Sequence, residues 1–473
     1  MTRSLTRSRL VVAATLLATG ALLPLVTSCS SVTDSLLSAQ DPDLVVPGTL
    51  NTAEGAQALY FGAIARLGYA TASIEPNIQE PEWLFSGLLA DEWSTSSTFV
   101  QNDEADERSI KLDNSSVRNQ FRYLERVRTS ANQAIASLRL YRPTEVARIG
   151  EMYLIRGFAE MQLAQDFCNG IPLSDGASDP FVLGTPLTVA EVFNRAIASY
   201  DSALALTTAT DTTTLKISRA ARVGKARALL GIDQIAAAAA LVPVGSVPTS
   251  YSYDITHSAT AGGNAIWGQG ASQRRYTVGD SLEGNARNLL VANAIPFFSA
   301  KDPRLPVTYT VSSKGDTTKS QDGFTFSRTT TLWGQYTSVP LVSGLDARLV
   351  EAEAQLKAGT YAGMMTILNG LRAAPPKLGE VQPAAMTALP LPTTAAEAEA
   401  LFFREKAFWT FSRGQRLGDM RRLVRFYPGH TVANTFPTGK HYRGGDYGPD
   451  VNLPVPTDEL TNPNFKGCTN RAP

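Results

Sequence analysis

Apolar residues recur at spacings of three and four along several separate segments of this chain, and this periodicity restricts the fold more than any other feature of the sequence. In one segment the apolar positions are Leu124, Val127, Ala131, Ile135 and Leu138. The same spacing occurs in residues 152–167, 193–204, 345–356 and 364–371. Each stripe predicts an amphipathic helix that has to pack on a neighbour. The sequence therefore predicts a mostly α-helical protein.

Two of the helical segments resemble each other. KARALLGIDQIAA begins at Lys225 and EAQLKAGTYAGMM begins at Glu353, which aligns Gly231 with Gly359. Both predict a helix, a turn and a second helix, with the glycine in the left-handed conformation that commonly follows a helix end. Such pairs resemble tetratricopeptide-type repeats, which stack into a curved scaffold. Generic αα-hairpins remain the alternative, because there is one internal match.

Two stretches interrupt the helical pattern. Residues 243–340 are rich in Gly, Ser, Thr, Tyr and Pro, and alternation in 305–313 and 323–333 predicts short strands. Residues 71–114 form a second, smaller interruption. We therefore expect a tetratricopeptide-like helical-repeat scaffold with an irregular, partly β inserted capping region. The expected domain spans 51–473, with its scaffold in 51–242 and 341–427 and a Pro/Gly-rich tail in 428–473.

The N-terminal residues have the pattern of an export signal. Three arginines precede an apolar run from Leu10 to Val26, which Gly20 and Pro24 interrupt. The run is short for a membrane-spanning helix and fits a signal peptide. It ends in VTSC, which resembles a bacterial lipobox with Cys29 as the lipidated residue. We expect a signal peptide in 1–28 and a polar tether in 29–50; an ordinary signal peptide with an incidental cysteine is the alternative.

Composition and motifs argue against several function classes. Lys+Arg 43 balances Asp+Glu 43, so the chain lacks the basic footprint of a nucleic-acid-binding protein. Three histidines and three cysteines are few for a metal site, and we expect no cofactor. The chain has no nucleophile elbow, phosphate-binding loop or zinc-protease motif, so we expect no enzyme activity. With Cys29 lipidated, Cys168 and Cys468 would form the one possible disulfide in an oxidising compartment, with two free thiols as the alternative.

Six segments in order resemble the SusD/RagB family of outer-membrane nutrient-binding lipoproteins. They are the lipobox at Cys29, EMYLIRGFAEMQLAQDFCNGIPL (151–173), KDPRL (301–305), DARLVEAEAQLKAG (346–359), EKAFWTFSRGQRLGDMRRL (405–423) and VNLPVPTDELTNPNF (451–465). The fifth segment, which we call the signature segment, departs from the family pattern. Trp409 and Arg413 stand where acidic residues are usual, and Leu417 and Leu423 stand where tryptophan is favoured.

The resemblance implies a lipid-anchored, surface-exposed protein of the cell outer membrane. Such a protein covers a TonB-dependent transporter barrel and captures oligosaccharides, peptides or similar nutrients without catalysing a reaction. The first alternative is a helical-repeat lipoprotein that only scaffolds protein assembly, and the second is a peripheral hydrolase. Large aromatic insertions favour the nutrient-binding interpretation, because a pure scaffold does not need them.

Carbohydrate binding requires exposed aromatic faces with amides or carboxylates beside them. Trp267 is the first candidate, because it lies in a Gly-rich, polar stretch together with Asn264 and Gln269. The other candidates are Trp93, Trp333 and Tyr336. For each tryptophan, simple packing in the local core is the competing interpretation.

The signature segment also contains a dense group of charges and rings. TAAE at 394–397 predicts a capping box at the start of its helix. We expect Phe408 and Phe411 on the buried face, and Lys406 and Arg413 on the face toward solvent. Gly414 is expected to end this helix and a second helix to follow in 418–426. Asp419 is three residues from both Arg416 and Arg422, so that either guanidinium could be its partner.

Overall fold

The computed structural model describes residues 50–74, 80–177, 180–283 and 289–473. The described residues belong to one compact unit, and the expected signal peptide and Cys29 lie outside them. No helix in the described ranges is long and apolar enough to cross a membrane.

The chain is mostly α-helical, as the periodicity predicts. In its first half the helices are α1 (Ala53–Thr71), α2 (Glu82–Leu89), α3 (Val100–Asp106), α4 (Ser115–Tyr141), α5 (Val146–Asp166), α6 (Val189–Leu206), α7 (Thr212–Leu230) and α8 (Ile235–Ala240). In its second half they are α9 (Ala265–Trp267), α10 (Gly344–Lys357), α11 (Tyr361–Ala373), α12 (Ala395–Trp409), α13 (Arg416–Phe426) and α14 (Val432–Thr435).

The long helices form a continuous stack. α1 packs on α4, α4 on α5, α5 on α6, and each helix from α6 to α8 on the next. The stack then continues across the inserted region, because α10 packs on both α7 and α8 as well as on α11. Helix pairs that pack in succession in this way are the architecture of a tetratricopeptide-like scaffold.

One detail of the repeat prediction is wrong. Gly359 follows α10 with φ 72°, the left-handed conformation expected. Gly231 instead continues in right-handed helical geometry with φ −61°, and Asp233 adopts the left-handed conformation with φ 59°. The turn after α7 is thus displaced by two residues, since Asp tolerates this conformation better than most residues with a side chain.

Within the described residues, ten short strands lie between the helices. They are β1 (Trp93–Thr95), β2 (Ile171–Pro172), β3 (Pro186–Leu187), β4 (Ser252–Ile255), β5 (Tyr276–Val278), β6 (Leu282–Glu283), β7 (Leu289–Leu290), β8 (Val307–Tyr309), β9 (Arg328–Thr330) and β10 (Val339–Ser343). All described pairs are antiparallel: β1 with β5, β2 with β3, β4 with β10, β6 with β7 and β8 with β9.

Strand pairing joins the two inserted stretches to each other and to the scaffold. β4 and β10 pair where the larger insertion leaves and rejoins the helices, with Val339 opposite Ile255. β1 of the smaller interruption pairs with β5 of the larger one, with Trp93 opposite Val278. The insertions therefore form one partly β region beside the helical stack.

The signature segment covers the last part of α12, from Glu405, and most of α13, and all of its residues from 405 to 423 are buried. Thr394 caps α12 as predicted, since its side chain accepts a hydrogen bond from the backbone of Glu397 and Glu397 reciprocates. Lys406 and Arg413 are 5% and 4% exposed, so the expectation that they face solvent is wrong. α12 ends at Trp409, before Gly414, and α13 begins at Arg416.

Charged side chains of the signature segment form ion pairs with charged side chains of α10 and of the Asp-Pro-Arg turn. Arg413 donates to both carboxylate oxygens of Asp346 on α10, at 3.1 and 2.6 Å. Arg304, in the Asp-Pro-Arg turn, donates to both oxygens of Glu405 at 2.7 and 3.1 Å. These contacts make the segment an internal junction between scaffold and insertion.

Candidate functional site

A cleft of about 260 Å³ lies between the start of α4 and the loop that precedes α3. We call it the polar cleft. It is lined by Glu80, Phe99, Gln101, Ser115, Ser116, Asn119, Gln120 and Tyr123. Aromatic rings beside amides, hydroxyls and one carboxylate can contact both the C–H faces and the hydroxyl rim of a sugar.

The first turns of α4 supply one wall of the polar cleft. Asn114 caps this helix, because its side-chain oxygen accepts hydrogen bonds from the backbone N–H groups of Ser116 and Val117, each at 3.0 Å. Residues four apart lie on the same face of a helix. That spacing places Ser116 beside Gln120, and Asn119 beside Tyr123. Both pairs line the cleft.

Glu80 and Gln120 form a buried floor. Glu80 is 8% exposed, and its Oε1 accepts a hydrogen bond from Asn102 Nδ2 at 2.8 Å. Gln120 is 1% exposed, and its Nε2 donates to the Glu80 carbonyl at 2.6 Å. Burial raises the pKa of Glu80, which the hydrogen bond from Asn102 partly offsets. Within the described ranges Gln120 Oε1 has no hydrogen-bond partner, so it can accept one from a ligand hydroxyl.

Phe99 forms the aromatic wall of the polar cleft. Its side chain is 38% exposed, and the Arg275 guanidinium lies over the ring, 4.7 Å from its centre. Arg275 is itself held by Gln321, whose Oε1 accepts from Arg275 Nε at 3.0 Å. The ring is thus fixed from one side while still contributing surface to the cleft.

Trp93 lies beneath the polar cleft and not at a surface. It is 1% exposed, its indole N–H donates to Ser412 at 3.0 Å, and its ring meets that of Tyr276 edge-on at 6.4 Å. The Tyr276 hydroxyl accepts from Asn102, which also donates to Glu80. The assignment of Trp93 as a ligand contact is therefore wrong: apolar packing buries the ring, and it supports the cleft floor from below.

Asn264 is also a structural residue. It is fully buried, and its Oδ1 caps α9 by accepting from the backbone N–H groups of Ile266 and Trp267. Its Nδ2 donates to the carbonyl of Thr337 at 2.9 Å, and its backbone N–H donates to that of Gln335 at 2.8 Å. Because every polar group of its side chain is used internally, Asn264 does not bind a ligand directly.

Asn264 does bring together two of the segments that contain candidate residues. Trp267 is half-buried and lies in α9, which Asn264 caps. Tyr336 is 47% exposed and lies between Gln335 and Thr337, whose carbonyls accept hydrogen bonds from Asn264. Trp267 and Tyr336 therefore remain accessible in one neighbourhood, which we call the Trp267 face.

Gln269 and Trp333 are buried, at 2% and 4% exposure. Gln269 lies in a single π-helical turn, Gly268–Ser272, and its Oε1 has no partner among the described residues. Trp333 lines a largely apolar cavity of about 350 Å³ together with Trp409 and Phe411. Neither side chain offers an open ring or amide at the surface: Gln269 is buried within the insertion, and Trp333 lies in the wall of a cavity that residues of the signature segment also line.

A disulfide joins Cys168 to Cys468, with Cα atoms 6.0 Å apart and 300 residues between them in sequence. Cys168 follows α5 and Cys468 lies in the C-terminal tail. Cys168 also donates its backbone N–H to Leu453, so the tail is held beside the end of α5 by hydrogen bonds as well.

The polar cleft is not among the sites predicted from the sequence. The predicted aromatic contacts are three tryptophans and Tyr336, whereas the exposed ring here is Phe99 and the amides come from Asn119 and Gln120. A signal was present in the sequence: TFVQN at 98–102 and SSVRNQFRY at 115–123 both combine rings with amides or hydroxyls. These two stretches come together because α3 packs against α4. The apolar periodicity of a sequence predicts helices but not which helices pack together.

The chain matches no protein-family model, and no curated protein matches it. Solved structures do share its fold. A SusD superfamily protein from Bacteroides vulgatus has a TM-score of 0.60 and 14% identity, covering 89% of this chain and 99% of that one. A SusD-like carbohydrate binding protein from Bacteroides fragilis has a TM-score of 0.61 and 13% identity, covering 88% of this chain and 99% of that one. A SusD/RagB family protein from Bacteroides thetaiotaomicron has a TM-score of 0.60 and 13% identity, covering 86% of this chain and 94% of that one.

Proposed function

This chain has the fold of the SusD superfamily, and we propose that it is a nutrient-binding protein that holds an oligosaccharide in the polar cleft. In this proposal Cys29 carries lipid and holds the protein on the outer membrane surface. The captured sugar passes to a partner TonB-dependent transporter barrel. The protein binds the sugar without cleaving it.

The observation that carries the proposal is the composition of the polar cleft. A sugar presents flat C–H faces to an aromatic ring and hydroxyls to amides and carboxylates. Phe99 supplies an exposed ring and Gln120 supplies a buried acceptor without an internal partner. The volume of about 260 Å³ is near the lower end of the range for ligand pockets, which suits one end of a chain of sugar units better than a folded partner.

The comparisons support a sugar over a peptide, since one neighbour is described as a carbohydrate binding protein. The cleft chemistry agrees. Its one carboxylate, Glu80, is buried and already accepts hydrogen bonds from Asn102 and Ser116, so the lining of the cleft offers a charged peptide no free charged partner.

Binding to a glycan array and a peptide library, followed by titration calorimetry with the best hit, tests this proposal. We expect Phe99→Ala and Gln120→Ala each to weaken binding about tenfold or more, equal to about 1.4 kcal/mol. Phe61→Ala is the matched control, because Phe61 is 51% exposed on α1 and does not line the polar cleft. Its affinity should equal that of the wild type.

Trp267→Ala distinguishes the two candidate surfaces. Loss of binding in Trp267→Ala with full binding in Phe99→Ala would transfer the site to the Trp267 face. Failure of every glycan to bind would contradict the proposal, and degradation of a bound glycan would favour the peripheral hydrolase.

Two further measurements test the proposed location and partner. Palmitate labelling should be lost in Cys29→Ala, and retained labelling would contradict the lipid anchor. Affinity purification of the full chain from its native membrane should recover a TonB-dependent barrel. Recovery of other proteins without a barrel would favour the assembly scaffold.

A further inference from the structure

We propose that a small cavity beside the signature helices is a binding site for a monovalent inorganic anion of halide size. The cavity is about 20 Å³ and lies between α5, α7 and α13. The residues that decide its chemistry are Gln165, Arg227, Lys406, Asp419, Arg422 and Arg425. Four of these six side chains are cationic and one is anionic.

Two of the four cations are already neutralised. Lys406 Nζ lies 2.7 Å from Asp419 Oδ1 and 3.7 Å from Glu353 Oε2. Arg422 lies 2.5 Å from Glu353 Oε1 and 2.7 Å from Asp419 Oδ1. These four residues, which we call the charge quartet, carry two positive and two negative charges and need no further ion.

Arg227 and Arg425 are the two that remain. Among the described residues neither forms an ion pair with a carboxylate. Arg227 is 7% exposed and donates only to the Leu341 carbonyl at 3.3 Å and to Gln165 Oε1 at 3.4 Å. Arg425 donates to the Gly231 carbonyl at 3.4 Å, and its buried Nε has no partner. All three hydrogen bonds are long, so both guanidiniums retain donor capacity toward the cavity.

The nearest other carboxylate does not compensate Arg227. Asp346 acts on Arg227 electrostatically, but both of its oxygens accept from Arg413 and one also accepts from Gln415. Asp346 and Arg413 therefore form their own neutral pair. Asp419, which belongs to the charge quartet, and Asp166 also act on Arg227. Among the described residues, however, no carboxylate lies at ion-pair distance from Arg227 or Arg425, so both guanidiniums line the cavity without a direct anionic partner.

Buried charge without a partner is costly, because the protein interior does not replace the hydration of the ion. Burial, followed by repulsion from Arg422, lowers the pKa of Arg425 to about 10. Burial is also the leading cause of the lowered pKa of Arg227. An anion between the two guanidiniums removes most of this cost, since it supplies the counter-charge and accepts the remaining N–H groups.

The size of the cavity selects the class of anion. A volume of about 20 Å³ holds one water-sized occupant, so chloride or bromide fits and carboxylate or phosphate ligands do not. The site lies where α13 of the signature segment meets α5 and α7 of the first half. A bound halide therefore joins two parts of the scaffold that are distant in sequence. This role does not depend on which nutrient binds in the polar cleft.

Thermal unfolding of the full chain, purified in detergent, tests the site. The melting temperature is compared in sodium chloride, sodium bromide and sodium gluconate at equal ionic strength, because gluconate is too large for the cavity. We expect the two halides to raise the melting temperature by about 2 °C or more over gluconate. The shift should disappear in Arg425→Met and in Arg227→Met, and remain in the control Arg122→Gln, whose side chain is exposed on α4. Equal melting temperatures in all three salts, or a halide shift that survives in both methionine variants, would overturn the proposal.

Anomalous scattering from bromide-soaked crystals gives a second readout that does not depend on a variant folding. We expect a bromide peak in contact with the guanidinium nitrogens of Arg227 and Arg425. Bromide peaks only at the protein surface would overturn the proposal.

Discussion

The signature segment and the polar cleft both concentrate polar groups, but they use them in opposite ways. At the signature segment, buried cations bind buried carboxylates of neighbouring elements: Glu353 of α10 is fully buried and accepts from Arg422 and also from Tyr427. In the polar cleft, Gln120 keeps a buried acceptor with no partner among the described residues. Internal pairing of polar groups thus indicates architecture, and an unpaired acceptor next to an exposed ring indicates binding.

Removing a member of the charge quartet should give the largest effect on stability. Glu353→Ala leaves Arg422 and Lys406 with Asp419 as their one carboxylate, so buried positive charge is uncompensated. We expect the free energy of unfolding to fall by about 3–5 kcal/mol, measured by denaturant titration. Glu54→Ala, an exposed glutamate on α1, should change it by less than about 0.5 kcal/mol. Similar values for the two variants would remove the distinction between the segment and an ordinary surface.

A pH titration separates the charge quartet from a second ion cluster near the insertion. Burial acts to lower the pKa of His441, but its contacts with Asp106 at 3.2 Å and Glu107 at 3.4 Å raise it from 6.5 to about 9. The folded state therefore binds this proton more tightly than the unfolded state. Its contribution to stability is complete below pH 6.5 and is lost as the pH rises to about 9.

The expected pH slope is at most about 1.4 kcal/mol per unit between these limits. It should be absent from His441→Gln, so the difference between the wild-type and variant slopes isolates this residue from other groups, such as Glu92 with a pKa of about 8. The Glu353 and Asp419 carboxyls of the quartet should contribute nothing there. Although burial opposes it, Arg422 and Lys406 hold the pKa of Glu353 below its usual value. Identical slopes for wild type and His441→Gln would contradict the assignment.

The smallest stability effect belongs to the polar cleft itself. Asn119 is half-buried on α4 and lines the cleft. Asn119→Ala should change the free energy of unfolding by less than about 0.5 kcal/mol and still weaken glycan binding about tenfold. Calorimetry and denaturant titration on the same preparation check both values. A large loss of stability with unchanged binding would place Asn119 with the architectural residues.

Much of the scaffold follows from the sequence, because apolar spacing reports helices directly. The stripes at 124–138 and 345–356 became α4 and α10, and the capping box at Thr394 fixed the start of α12. Periodicity failed for Lys406 and Arg413. It assumes that one face of a helix meets solvent, but the part of α12 from Glu405 onward and the turn that contains Arg413 are buried by partners from α10, α13 and the insertion.

The site was harder to predict, because it depends on contacts between distant segments. Trp93 and Asn264 carry the residue types of a sugar site, but their neighbours in space consume them: Tyr276 and Ser412 surround Trp93, and Thr337 holds Asn264. Gln120 is a candidate because of a tertiary contact: its side-chain nitrogen donates to the Glu80 carbonyl, while its side-chain oxygen has no partner among the described residues. Sequence supplies the side chains, and tertiary pairing decides which of them remain available.

The bond between Cys168 and Cys468 encloses most of the folded domain in one covalent ring, since 300 residues separate its ends. A protease that cuts once anywhere within this ring cannot divide the protein, because both fragments stay linked through sulfur. The nicked chain keeps its full mass until a reductant opens the ring. The surface loops of the insertion can therefore be cleaved once, in a medium rich in proteases, without releasing any part of the domain.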